Sequence, residues 1–88
     1  MAPDVVSVRP AGGTCLDLTF ADGSERRVDI ALLARPEGVF KDLHRPEFVA
    51  SATVNPDIGT ICWSTGADLS PDVLFKAGKL LKQGTSAA

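Results

Sequence analysis

The chain has 88 residues, is 44% hydrophobic and 23% charged, and carries a formal net charge of −2. This is the size and composition of one small globular domain, and its acidic balance argues against a free-standing nucleic-acid binder, whose affinity rests on phosphate neutralisation. No apolar run approaches the roughly 20 residues of a membrane span, and no basic segment followed by an apolar stretch marks a signal peptide, so a cytoplasmic protein is expected.

Residues 5–9 read as a first strand with Val6 and Val8 on one face. A turn at Ala11-Gly12-Gly13 follows. Residues 14–20 alternate, with Leu16, Leu18 and Phe20 on one side and Cys15, Asp17 and Thr19 on the other. Residues 24–30 form a third strand with Val28 and Ile30 as its apolar side. Strand parity then selects the turn. A two-residue Asp22-Gly23 turn would set Phe20 against Glu25 and Leu18 against Arg27. A three-residue loop, Ala21-Asp22-Gly23, instead pairs Phe20 with Ser24, Leu16 with Val28, and Asp17 with Arg27. It also places Gly23 where a left-handed residue is wanted. The second register is expected, and it leaves Arg26 on the Leu18 side, tolerable if its guanidinium reaches an edge.

After Ile30 the period changes. Ala31-Leu32-Leu33 suits one helical turn, broken near Pro36. Val39, Phe40 and Leu43 have helical spacing within 37–44. Pro46-Glu47-Phe48 reads as a tight turn with Phe48 plugging the core. Residues 49–55 and 59–64 read as fourth and fifth strands around an Asn55-Pro56-Asp57 turn, with the register open because either parity leaves an acceptable face. Ser70 suits a helix cap, Pro71 the first helical position and Asp72 the positive end of the helix dipole. Val73, Leu74, Ala77, Leu80 and Leu81 then make one apolar stripe, with Lys76, Lys79 and Lys82 on another side. The spacing predicts one helix from Pro71 to a stop at Gly84, weakened in its middle by Gly78, with a disordered tail at 85–88. The expected fold is α+β: one domain over 1–84, with a small antiparallel sheet of about five strands in the order β-β-β-α-β-β-α and short helices packed on it.

The residues do not assemble a catalytic set, a metal site or a cofactor site. His44, the only His, suits a surface or helix-end cation better than a catalyst. One His and two separated Cys do not supply zinc ligands. Cys15 and Cys62, each inside an apparent strand, read as buried thiols in a reducing compartment, and neither has a neighbouring cation to activate it. Ala11-Gly12-Gly13 lacks the Lys and helix of a phosphate loop. Asp57 and Asp68 lie in loops, where Asp68 is expected to accept backbone N–H bonds and tie down the corner. Trp63 is an anchor, or a contact hot spot if exposed beside Phe75. The candidate interaction or structural corner is therefore Trp63, Gly66, Asp68, Pro71 and Asp72.

These residues also carry a resemblance. A Val-x-Val-x-Pro-like first strand, Phe-Ala-Asp-Gly, Val-Asp-Ile, Gly-Val-Phe-x-x-Leu, and Gly-Thr-Ile-x-Trp-x-x-Gly-Ala-Asp-Leu-x-Pro-Asp-x-Leu together resemble the small bacterial domain-of-unknown-function family 2442, over residues 5–75. The block from Trp63 to Asp72 is its most specific part. Ser64 stands where the family often has Pro, and the helix from Pro71 reads as longer than usual. The resemblance implies an α+β domain without an established activity, often encoded beside another small protein in a toxin–antitoxin-like arrangement. Some members carry an added helix-turn-helix; this chain is expected to be the bare domain, which puts direct promoter binding in doubt. A protein-binding module, in its most specific form the antitoxin-like partner of a small protein, is the first expected function, with homodimerisation as a further form. A nucleic-acid-associated regulator, using Arg26, Arg27, Arg35, Lys41, Arg45 and the Lys76–Lys79–Lys82 stripe, is the second. A small-ligand or enzyme site at the Trp63–Asp68 corner, with His44, is the third.

Overall fold

The computed structural model describes residues 2–83. The predicted stop at Gly84 and tail at 85–88 lie outside the described residues. The fold is α+β. Strands β1 (Val5–Pro10), β2 (Cys15–Phe20), β3 (Glu25–Asp29) and β6 (Lys79–Lys82) form one antiparallel sheet in the order β1-β2-β3-β6. Strands β4 (Thr53–Asn55) and β5 (Thr60–Cys62) form a separate hairpin. Helices α1 (Ile30–Leu33), α2 (Pro46–Val49) and α3 (Pro71–Ala77) and a 3-10 helix (Gly38–His44) complete the described elements.

The first hairpin has the register that parity selected. Leu16 stands opposite Val28, Asp17 opposite Arg27 and Leu18 opposite Arg26. Phe20 and Ser24 close the loop, the Phe20 amide donating to Ser24 O at 2.9 Å and the Gly23 amide to Phe20 O at 2.9 Å. Gly23 has φ 86, a left-handed value that favours Gly. Ser24 is buried and donates both its amide and its hydroxyl to Asp22 Oδ1, at 2.9 and 2.6 Å. The hydroxyl bond is the main cause holding the Asp22 carboxyl below its usual range. Leu16, Leu18, Phe20 and Val28 form one buried face, joined by Ile30, Leu43, Val49, Ile61, Trp63 and Leu74. Asp29 caps α1 by accepting from the Ala31 amide at 3.2 Å.

Several expectations are corrected. In β1 a bulge between Val5 and Ser7 turns Val5 inward and leaves Val6 55% exposed, so Val6 and Val8 do not share the buried face. The predicted strand at 49–55 begins only at Thr53. Pro46 starts a helical turn, and the Ala50 amide bonds Pro46 O at 3.0 Å, so Val49 is the end of α2. The segment around Leu43 is a 3-10 helix, with Val39 half exposed. The five predicted strands divide between two sheets, and a sixth comes from the predicted C-terminal helix. That helix ends at Ala77, and Leu80 and Leu81 belong to β6.

The last change has a steric cause. Gly78 is the C-cap residue of α3, and its amide reaches Leu74 O at 3.0 Å. A Cβ there would meet Arg26 Cβ at 2.8 Å, Leu74 O at 3.0 Å and Val28 Cγ2 at 3.1 Å. The missing side chain lets the chain pass close over β3 and pair with it.

Candidate functional site

The corner after β5 is built for closure. The Trp63 amide donates to Ala67 O at 3.0 Å and the Gly66 amide to Trp63 O at 2.9 Å, while Gly66 takes φ 88. Trp63 is 4% exposed, and its Nε1 donates to Val49 O at 3.3 Å, linking the corner to the end of α2. Buried Trp63 is therefore an anchor and offers no exposed contact surface. Thr60 is buried and its hydroxyl donates to Leu69 O at 2.6 Å. Ser70 Oγ accepts from the Val73 amide at 3.2 Å, Pro71 opens α3, and Asp72 Oδ1 accepts from the Ala2 amide at 2.7 Å. The ties expected of Asp68 are thus made by Thr60 and Ser70. Asp68 is exposed, and its carboxylate makes no hydrogen bond among the described residues. Its backbone forms a single bridge with Cys62. No sequence signal distinguished Thr60 as the buried tie, because a Thr in a strand is ordinary.

The groups considered for chemistry are engaged separately. His44 Nε2 lies 3.1 Å from Ala34 O and 3.3 Å from Arg35 O, where as a donor it ties down the segment that follows α1. Cys62 Sγ lies 3.9 Å from Thr53 Oγ1, and Cys15 is on β2 opposite Asp29. Both thiols are free and half-buried. Among the described residues no group of three or more His, Cys, Asp or Glu side chains is placed to hold a metal ion. No helix among them is long and apolar enough to cross a membrane.

Two surfaces lie at the α3–β6 end. The first is an open cleft of about 580 Å³ lined by Ala2, Arg26, Asp72, Phe75 and Lys76. Arg26, the charged residue left on the apolar side of the hairpin, places its guanidinium carbon 3.8 Å from the centroid of the Phe75 ring. Phe75 in turn meets Phe20 edge-on, with centroids 5.0 Å apart. Arg26 thereby reaches an aromatic face, while its Nε is buried without a hydrogen-bond partner among the described residues.

The second surface is the edge formed by β6. All four of its residues are exposed, Leu80 and Leu81 at 44% and 42%. Lys79 pairs with Arg27, Leu80 with Arg26 and Lys82 with Glu25, and a bulge accommodates Leu81. Directly opposed residues in an antiparallel pair share a face. Lys79 and Lys82 therefore lie on the Arg27–Glu25 face, and Leu80 lies on the Arg26 face. On that polar face Arg27 donates to Asp17 through Nε at 2.7 Å and Nη2 at 3.0 Å. This bond, before any other cause, holds the Asp17 carboxyl below its usual range.

The expected basic stripe is accordingly divided, with Lys76 on α3 beside the cleft and Lys79 and Lys82 on the strand. Arg45 is held by Glu47 at 2.9 Å and lies 3.5 Å from Asp42. The open edge was missed in the sequence because Leu80 and Leu81 fit the helical stripe. Gly78, read as a weak point within a helix, was the signal for it.

No curated protein and no solved structure matches the chain. The family described as Protein of unknown function (DUF2442) matches residues 5–79, from β1 to the first residue of β6. With that match covering most of its length, the chain belongs to the DUF2442 family.

Proposed function

We propose that this chain is a non-catalytic protein-interaction module and that it acts as the antitoxin-like partner of another small protein. The observation that supports it most is the edge strand β6, whose residues Lys79–Lys82 are all exposed, with two Leu among them. An edge strand presents backbone N–H and C=O groups to any extended chain that can pair with it. Co-expression with the product of the neighbouring gene, followed by size-exclusion chromatography with light scattering, tests this reading. Co-elution in a defined stoichiometry is expected. Separate elution from that product and from every other candidate partner overturns it.

A second reading, a nucleic-acid-associated regulator, draws on the register that aligns Arg9, Arg27 and Lys79 across one sheet face. Asp17 lies between the two arginines and binds Arg27, which lowers the field that face offers to phosphates. Salt-sensitive binding to single- or double-stranded DNA or RNA at low salt is the measurement that would favour it.

A further inference from the structure

The β6 edge narrows the chemistry of the partner, and the inference rests on the interaction reading above. No strand among the described residues pairs with the side of β6 that faces away from β3. An added chain would find Lys79 and Lys82 at the two ends of the strand, on one face, with Leu80 and Leu81 between them. From this we infer that β6 receives an extended segment of another protein with the pattern acidic–apolar–acidic, three residues against the bulged four as in β3, which adds to the sheet as a fifth strand.

Charge selects this occupant over a second copy. Antiparallel self-pairing of β6 would set Lys79 of one copy opposite Lys82 of the other, and Leu80 opposite Leu81. Two like-charge pairs directly across a strand boundary oppose association. Lysines on an exposed edge also discourage indiscriminate strand pairing. The same two charges favour a chain that brings a carboxylate to each. Because Lys-Leu-Leu-Lys reads the same in both directions, the complementary pattern is the same for either orientation of the incoming strand. The bulge at Leu81 keeps both lysines on the face shared with Arg27, so the two carboxylates must also lie on one face.

The test uses the full chain and two labelled peptides, Ser-Thr-Thr-Glu-Val-Glu-Thr-Thr-Ser and the same peptide with Lys in place of Glu. Fluorescence anisotropy at low salt is expected to show the acidic peptide binding about tenfold more tightly, since two attractive cross-strand pairs replace two repulsive ones. Hydrogen exchange should slow at the β6 amides that point away from β3. The variant Lys79→Gln/Lys82→Gln changes only exposed side chains and should bind both peptides alike. Equal binding of the two peptides by the unaltered chain overturns the inference, as does binding that leaves β6 exchange unchanged. An oligothymidylate that displaces the acidic peptide at lower concentration than the unlabelled peptide also overturns it. The larger reading fails separately: a neighbouring-gene product that co-elutes, with β6 still exchanging freely, retains the module and removes this site.

A second outcome follows from the same charges. Lys79→Glu makes the edge self-complementary, because the introduced carboxylate of each copy then faces Lys82 of the other. That variant should self-associate more strongly than the unaltered chain in sedimentation equilibrium. A weaker or unchanged tendency contradicts the assignment of charge as the selecting feature.

Discussion

At the β1 side of the four-stranded sheet, the Val5 amide donates to Gly59 O at 2.9 Å, and β1 lies against β4 and β5. At the β6 side, Lys79–Lys82 are all exposed, and no described strand pairs beyond them. One edge is closed at its Val5 end by the chain's own second hairpin, anchored through buried Ile61 and Trp63, while most of Val6 to Pro10 stays exposed. The other is guarded only by lysines. The difference teaches that this small domain uses its second hairpin and corner to close one end of β1, and leaves the whole of β6 able to pair.

Breaking the closed end should have the largest effect. Trp63→Ala removes a buried indole and orphans the Val49 carbonyl it binds. The expected loss is about 3–5 kcal/mol of unfolding free energy, measured by urea denaturation followed by far-UV circular dichroism. A loss as small as that of a surface substitution would contradict the closed-end description.

Gly78→Ala tests how the open side is built. The added methyl would press on Arg26 Cβ and Val28 Cγ2, neither of which is the free end of a flexible side chain. About 1–3 kcal/mol should be lost, and hydrogen exchange should show β6 detaching from β3 while β1 to β3 stay protected. Uniform loss of protection would mean that β6 is an integral part of the core.

Asp17→Asn sharpens the comparison from the middle of the sheet, where β2 pairs with β3 between the two edges. Arg27 holds the folded-state carboxyl below its ordinary value. The unfolded chain then binds the proton more readily, so the pair's contribution is present above about pH 4 and fades as pH falls below it. The unaltered chain should lose this increment on acidification, and Asp17→Asn should show a shallower acid limb in pH-dependent thermal melts. Parallel acid limbs would mean the ion pair contributes no measurable stability.

The smallest effect is expected at the open edge itself. Leu81 is 42% exposed and lies at the bulge. Leu81→Thr should change stability by less than about 0.5 kcal/mol in the same urea titration. A loss comparable to Trp63→Ala would show that β6 is sealed in solution by the chain itself.

Local chemistry alone determined the first hairpin and the start of α3. Alternation through Leu16, Leu18 and Phe20, answered by Val28, admits one register, because a one-residue slip exposes the whole apolar set. Ser70, Pro71 and Asp72 each meet a requirement of a helix N-terminus that does not depend on distant residues. The corner was legible in outline, since Trp63 and Gly66 do what their residue types suggest. The choice of Thr60 over Asp68 as its tie depends on where Leu69 arrives in three dimensions. Tertiary structure alone decided the bulge at Val6, the helical fate of Val49 and the division of residues 71–82 into a helix and a strand. Leu80 and Leu81 satisfy both a helical stripe and an edge strand, so the pattern is degenerate over so short a span. The exposed side of β3 offers backbone partners to whichever segment can approach it, and Gly78 is the one place in that segment where the chain can come close enough.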